Sequence, residues 1–391
     1  MDFYKILKES ECHYSLQYNT GLNIDPLKFN PYGDCTSGGI YFSREDILYF
    51  LDYGPWIRKV TLPEDAQIYE NPGEPKKWKA DKVILNEREK INFKVIKRLI
   101  NEGANPNIND NFPLRWAVNN GHADIVKLLL PFSDPKTNDS IALRLAAYNG
   151  HIKIVKLLLP LSEAKANDSE ALRWAAKNGH FDIVKLLIPV SDPKAHNSYA
   201  LRWAAENGHF DIVKLLIPIS DPKAQESEAL RCAAKYGHDK IVKPLIPVSD
   251  PKAYDNEALR LAAKNGHTEV VKLLIPVSDP KINNNIALKL ATFYGHTEVV
   301  KLLIPVSDSK ANISESLRCA AQNGYTEIVK LLIPVSDPKI NNSEALRYAA
   351  YNEHIDIIKL LIPVSEINNY VINFCTNQKI RDLIMSYKKE Q

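Results

Sequence analysis

The sequence predicts a mainly α fold, a helical-repeat solenoid of 29-residue units preceded by a small α+β domain. Three observations carry that expectation. From residue 113 onward the chain coincides with itself when shifted by 29 residues. Each shifted unit bears two short apolar faces at helical spacing, one on either side of a glycine. Residues 1–88 share neither feature and are punctuated by Pro26, Pro31, Pro55, Pro63, Pro72 and Pro75 and by Gly21, Gly33, Gly38, Gly39, Gly54 and Gly73.

The repeat is read directly. "PLRWAVNNGHADIVKLLLPFSDPK" at residue 113 is followed by "ALRLAAYNGHIKIVKLLLPLSEAK" at 142 and "ALRWAAKNGHFDIVKLLIPVSDPK" at 171, with further starts at 200, 229, 258, 287, 316 and 345. A fixed period in this range marks a stack in which no unit can bury its apolar face alone. The chain is therefore expected to divide into an α+β block at 1–88, a divergent half-unit at 89–112, nine units at 113–365 and capping helices at 366–391.

Within one unit, Leu172, Ala175 and Ala176 define a first helix and Ile183, Val184, Leu186, Leu187 and Ile188 a second. Gly179 between them suits a backbone position with positive φ. Ser198 is placed to cap the next first helix. Pro189 is expected to stop the second helix near Ile188, because proline lacks an N–H and disfavours α geometry in the residue before it. One unit breaks this rule: Pro244 stands inside its second helix, where Leu186 and its equivalents stand elsewhere, so residues 229–257 should be the softest point of the array.

His122, His151, His180, His209, His238, His267, His296 and His354 recur at one position, with Tyr325 standing in once. Packed helices lie about 8–10 Å apart, whereas metal ligands sit about 2 Å from one ion. Neighbouring copies therefore cannot share a metal. The expected role is a hydrogen bond between units, with no cofactor and no metal. Cys12, Cys35, Cys232, Cys319 and Cys375 are odd in number and lack a CxxC pair, so they read as reduced, mostly buried thiols.

Fifty Lys and Arg against 47 Asp and Glu leave a net charge of +3, too weak to draw nucleic acid or a membrane surface. The opening "MDFYKILKESECHY" lacks the apolar core of a secretion signal, and no apolar run reaches the roughly 18 residues of a membrane span. An intracellular, soluble chain is expected.

The unit "ALRWAAKNGHFDIVKLLI" and the segment "LINEGANPNINDNFPLRWA" at 99–117 resemble the ankyrin repeat, with its first helix, Gly-His turn, second helix and Gly-Ala-x-x-Asn loop; the resemblance covers about residues 90–388. It implies an ankyrin-type, L-shaped stack of helix pairs that binds proteins on inner helices and loop tips. Two departures stand out. The period is 29 where that family has about 33, and Arg173 stands where the family has histidine. The shortened loop predicts that projecting β-hairpin fingers do not form after the first unit. "GGIYFSREDILYFLDYGPWIRKVTLPEDAQIYE" and "KKWKADKVIL" resemble the leader domain that precedes ankyrin arrays in amoeba-infecting giant viruses, which implies a source and no activity.

In that block "GGIYF", "WIRKVTLP" and "KADKVILN" read as strands and "SREDILYFLDYG" as a helix with Ser43 and Asp46 forming a capping box. His13, Asp34 and Cys35 supply polar chemistry, which leaves an enzyme of the ADP-ribosyltransferase type as the alternative reading of the block. Gly38 and Gly39 lack a phosphate-cradling spacing. At the far end, Ile380, Leu383 and Ile384 are expected to turn inward from a degenerate final helix pair.

Comparison between units separates scaffold from surface. The position before the Asn-Gly turn varies most, reading Asn119, Tyr148, Lys177, Glu206, Lys235, Lys264, Phe293, Gln322 and Tyr351. Loop tips vary too, with His196 and Tyr254 among them, and Ile313 replaces a usually polar residue. The candidate partner-binding residues are Tyr148, Lys177, Glu206, Lys235, Lys264, Phe293, Gln322, Tyr351, His196 and Tyr254, for an unidentified host or viral protein bound by a monomer. A row from Arg115 through Arg144, Arg173 and Arg202 to Arg347 could track phosphates. The parallel row of Asp134, Glu163, Asp192 and Asp221 is expected to cancel it, so nucleic acid is not an expected partner.

Overall fold

The computed structural model describes residues 1–13, 16–32, 36–308, 310–375 and 377–390, so Asp34 and Cys35 lie outside the described residues. The chain divides into two compact units, Met1–Asp192 and Pro193–Gln391.

Met1–Asp192 opens with short strands: β1 Phe3–Leu7, β2 Cys12–His13, β3 Leu16–Gln17, β4 Gly21–Ile24, β5 Ile40–Phe42, β6 Trp56–Thr61, β7 Ile68–Asn71, β8 Lys77–Ala80, β9 Lys82–Leu85 and β10 Glu89–Lys90. Every pairing is antiparallel. One sheet runs β1-β6-β9-β4 with β10 also on β6, a second runs β5-β8-β7, and β2 pairs with β3. The run expected as a single strand, "KADKVILN", is two. Asp81 turns the corner between sheets, its carboxylate accepting the Gln67 N–H at 2.8 Å. Leu7, Tyr18, Ile40, Phe42, Val60, Ala80, Val83 and Leu85 fill the core between the layers.

The capping box does not form. Residues Ile47–Tyr53 make a 3-10 helix with no side-chain cap. The Ser43 hydroxyl instead donates to the Lys76 carbonyl and the Asp46 carboxylate accepts the Lys76 N–H, both at 2.7 Å. Arg58 and Glu11, both buried, pair through two nitrogens at 2.9 and 3.0 Å, and the remaining guanidinium donor reaches Thr20 Oγ1 and the Asn86 carbonyl. A buried ion pair is tolerated when its polar atoms are satisfied in this way.

Helix Phe93–Asn101 follows, its first turn capped by the Asn92 side chain. Three helix pairs complete this unit: Ile108–Asn119 with Ala123–Leu129, Thr137–Tyr148 with Ile152–Leu158, and Ala166–Lys177 with Phe181–Leu187. Pro193–Gln391 holds six pairs of the same pattern from Ala195–Glu206 with Phe210–Leu216 to Ile340–Tyr351 with Ile355–Leu361, then Asn369–Phe374 and Gln378–Glu390. Ile380 and Ile384 of the last helix are buried and Leu383 is half-buried. The second helix ends at Leu187, and Pro189 sits inside a 3-10 turn, Ile188–Val190, that continues it.

Each loop has a feature that spacing did not show. Asn138, Asp139 and Ser140 are all left-handed, at φ 48, 55 and 56°, and the same three positions repeat at Asn167 to Ser169 and at His196 to Ser198. Short polar side chains tolerate this region better than branched ones. The third residue then joins loops: Ser198 does not cap a helix but accepts the Asp221 N–H at 2.9 Å, and Ser140 accepts that of Glu163 at 2.9 Å. Ile313 is the exception that explains the rule. A β-branched side chain is disfavoured at positive φ, and there Lys310–Asn323 runs as one right-handed helix with no positive φ recorded at 312–314. Ser314 still accepts the Asp337 N–H at 2.7 Å. Among the described residues no strand follows Lys90, so the hairpin fingers are absent from these loops.

The thiols are less buried than expected. Cys232 and Cys319 are half-buried at the position held by Trp174, Cys12 is half-buried, and Cys375 alone among the described cysteines is buried.

Helix Asp239–Leu245 keeps the length of Phe181–Leu187 despite Pro244, so the defect is one of hydrogen bonding, with no N–H for the Lys240 carbonyl. Leu186 is half-buried, and the lost side chain therefore matters less than the lost backbone bond, which costs about 3 kcal/mol. Amides of Ile241 to Ile246 should exchange hydrogen up to about 100-fold faster than those of Ile183 to Ile188, and Pro244→Leu should slow them. Equal protection would show that the stack absorbs the proline.

Lys5 on β1 is buried, and that burial pushes its ammonium down to about 7. Between that value and its ordinary 10.5 the unfolded chain binds a proton that the folded chain does not, so stability rises with pH across the window. Urea unfolding followed by Trp56 and Trp78, with Trp116, Trp174 and Trp203 replaced by Phe, should show this rise. Lys5→Met should flatten it and raise the midpoint at pH 6–7; an unchanged slope would contradict the burial cost.

Candidate functional site

The surface is built on a contact between consecutive units. The first helix ends at the variable residue, so its last carbonyls lack an intrahelical donor. The histidine of the next unit supplies one. His151 Nε2 lies 3.3 Å from the Asn119 carbonyl and His180 Nε2 lies 3.0 Å from that of Tyr148. In Pro193–Gln391 the partners are His238 with Glu206 at 3.0 Å, His267 with Lys235 at 2.9 Å, His296 with Lys264 at 2.8 Å and His354 with Gln322 at 3.1 Å. Tyr325 makes the same link to the Phe293 carbonyl through its hydroxyl. A carbonyl only accepts, so Nε2 carries the proton. The expected hydrogen bond between units is therefore present in each of these pairs.

The ring also dictates the glycine beneath it. Gly150 lies at φ +78°, and a Cβ there would stand 2.6 Å from His180 Cε1; Gly266 repeats this against His296. A side chain at either position would meet both left-handed strain and a ring already held by its hydrogen bond.

The candidate residues stand on this pinned backbone with differing exposure. Tyr148 is 45% exposed and meets Trp174 edge to face at 5.1 Å, and the Lys177 ammonium lies 4.9 Å from the same ring. Phe293, Tyr351 and Tyr254 are more than half exposed. Lys235, Lys264, Gln322 and His196 are exposed, His196 against the Tyr199 ring at 4.2 Å, while Glu206 is half-buried. Trp116, Trp174, Trp203 and Tyr348 are half-buried.

Two aromatic residues of this face escaped the sequence reading. Tyr236 and Tyr294 replace the asparagine of the Asn-Gly turn and are 45% and 44% exposed. Each stacks on its own unit's histidine, His238 or His296. Tyr294 also meets Phe293 at 5.1 Å and the Lys264 ammonium at 5.4 Å. The signal was there in the loss of asparagine at a turn position.

The arginine row is occupied by internal contacts, though the expected Asp row is not what neutralises it. Arg144 donates to the Asn138 and Asp139 carbonyls of its own left-handed turn and pairs with Glu170 of the next unit. Arg173 and Arg231 cap their turns in the same way, Arg202 pairs with Glu228 at 3.0 Å, and Arg231 pairs with Glu257. Burial works against the Glu170 charge, yet hydrogen bonds from Arg144, Trp174 and Asn167 hold its carboxyl below the usual range. Asp221, Asp250 and Asp337 turn inward on their own loops, accepting the N–H of Lys223, Lys252 and Lys339. Phosphate would have to displace these partners.

Burial pushes the Cys232 thiol up to about 11 and raises those of Cys319 and Cys375, so little thiolate exists near neutrality. Among the described residues no three His, Cys, Asp or Glu side chains gather to hold a metal ion, and no helix is long and apolar enough to cross a membrane.

A family model described as ankyrin repeats in three copies matches residues 88–170, 143–229, 172–255, 230–316 and 308–373. Three proteins of Acanthamoeba polyphaga mimivirus are similar. An ankyrin repeat protein is 39% identical over 123 residues, covering 29% of this chain and 40% of its own length. An uncharacterized protein is 35% identical over 133 residues, covering 33% and 96%. A second ankyrin repeat protein is 32% identical over 136 residues, covering 33% and 66%. With its helix pairs, Gly-His turns and matched length, the chain belongs to the ankyrin-repeat family, whose repeats are scaffolds for protein–protein interaction.

Proposed function

We propose that this chain is a non-enzymatic adaptor that holds a host or viral protein on the ends of its first helices and on its loop tips, acting as a monomer inside an infected host cell. One observation carries the reading: the residues that vary most between units are those whose carbonyls the next unit's histidine or tyrosine holds. The backbone is fixed while the side chain is free to differ, which is what recognition by a repeat surface requires. The side chains set there are of the kind that anchor interfaces: Tyr148 with Lys177 in Met1–Asp192, and Tyr236, Tyr254, Phe293, Tyr294 and Tyr351 in Pro193–Gln391. The mimivirus relatives support a viral source and a partner met during infection.

The test is affinity capture from infected amoeba lysate with the full chain, followed by measured affinity for each captured protein. Tyr148→Ala, Lys177→Glu, Glu206→Lys and Phe293→Ala are made singly and together. A hot-spot anchor among them should weaken binding about 30-fold, with unfolding midpoints unchanged because these side chains are largely surface groups. Partners retained at full affinity by all four changes would place the binding surface elsewhere.

A further inference from the structure

The strand-rich part of Met1–Asp192 contains a cavity of about 150 Å³ that the adaptor reading does not use. Its walls are mainly apolar, from Tyr4, Ile6, Phe42, Ile47, Phe50 and Tyr53, and Lys5, Lys77 and His13 also line it. No carboxylate lines it. Lys5 is only 6% exposed; its Nζ donates to the Tyr41 carbonyl at 2.8 Å and lies 4.6 Å from the Tyr18 ring centroid. Among the described residues no acidic side chain pairs with it. A carbonyl dipole and a ring face take one of the three ammonium donors and part of the charge. An ammonium so far from water ordinarily requires a counter-charge. The Lys77 ammonium sits over the Tyr41 ring at 5.7 Å, and Lys5 and Lys8 help to lower the His13 basicity, after burial itself, while Asp25 opposes them. The cavity is therefore mainly apolar in its walls; its basic lining groups are Lys5, Lys77 and His13, and its neutral polar ones are Ser43 and the tyrosine hydroxyls, of which that of Tyr4 donates to Glu102 at 2.8 Å.

We propose that this cavity binds a small apolar monoanion of one-ring size, with its carboxylate or equivalent group on Lys5 Nζ. An apolar cavity of about 150 Å³ takes a benzene-sized body, which fixes the size class. The buried ammonium without a carboxylate partner fixes the charge, since a charge-assisted hydrogen bond is among the strong ones.

Benzoate and its neutral counterpart benzyl alcohol are the probes, titrated calorimetrically into the full chain at about pH 6, below the value of about 7 to which burial lowers Lys5, so that its ammonium is charged. Benzoate should bind, and Lys5→Met should weaken it at least about tenfold while leaving benzyl alcohol unchanged. Phe50→Trp retains Lys5 and fills the cavity, so it should abolish binding of both probes while the melting transition persists. Absence of benzoate binding to the parent chain would overturn the proposal. So would equal benzoate affinity in Lys5→Met, or binding undiminished by Phe50→Trp. None of these outcomes bears on the repeat surface, which lies outside the strands.

Discussion

A hydrogen bond from an imidazole Nε2 to the carbonyl that ends the previous first helix is the interaction on which the rest of the repeats depends. It satisfies a helix-terminal carbonyl, by itself at Lys264 and together with the Asn178 or Asn265 amide at Tyr148 and Lys235. It also places an aromatic ring where the preceding unit can have no Cβ, which makes Gly121, Gly150, Gly237, Gly266 and Gly324 obligatory for space as well as for φ. The apolar framework follows from the same alignment: Leu172, Ala175 and Ala176 of one unit and Leu201, Ala204 and Ala205 of another are all fully buried. With the backbone held from outside the variable residue, that residue's side chain can differ from unit to unit without loss of the link. Tyr325 shows that what matters is a ring with a donor at its far end, since its hydroxyl finds the Phe293 carbonyl as the imidazoles find theirs.

A second set of contacts organises the other edge. Three left-handed residues tighten the loops other than that of Ile313, an arginine such as Arg173 closes the turn by donating to the carbonyls of Asn167 and Asp168, and a serine or asparagine ties it to the next loop. This arrangement stands where longer ankyrin repeats carry a hairpin, and it explains how a 29-residue period is sustained. It also accounts for the chemistry of the basic row, whose guanidiniums are held by loop carbonyls and by Glu170, Glu228 and Glu257.

Much of this was legible. The period, the two helices, the positive φ of Gly179 and the linking role of the histidine follow from local pattern repeated many times. The left-handed turns were not legible, because runs such as Asn-Asp-Ser are equally compatible with a helix cap, and only contact with a residue 23 positions away selects between them. Ser43 and Asp46 failed as a capping box for the same reason: Lys76, distant in sequence, competes for both side chains. On the candidate surface, Tyr236 and Tyr294 were passed over because their position belongs to the turn in most units. The apolar, lysine-lined cavity depends on strands and a 3-10 helix assembled from residues 4 to 77, and no local motif announces it.

The central claim is that the repeat backbone is held by the histidine and not by the variable side chains. Equilibrium unfolding of three full-length chains tests it most directly: the parent, a Lys235→Ala/Lys264→Ala/Gln322→Ala triple variant, and His296→Ala. The triple variant should stay within about 0.5 kcal/mol of the parent per site, as surface substitutions do. His296→Ala should lose about 1–3 kcal/mol, because the Lys264 carbonyl is left without its donor. A triple variant as destabilised as His296→Ala, or a His296→Ala chain as stable as the parent, would contradict the account.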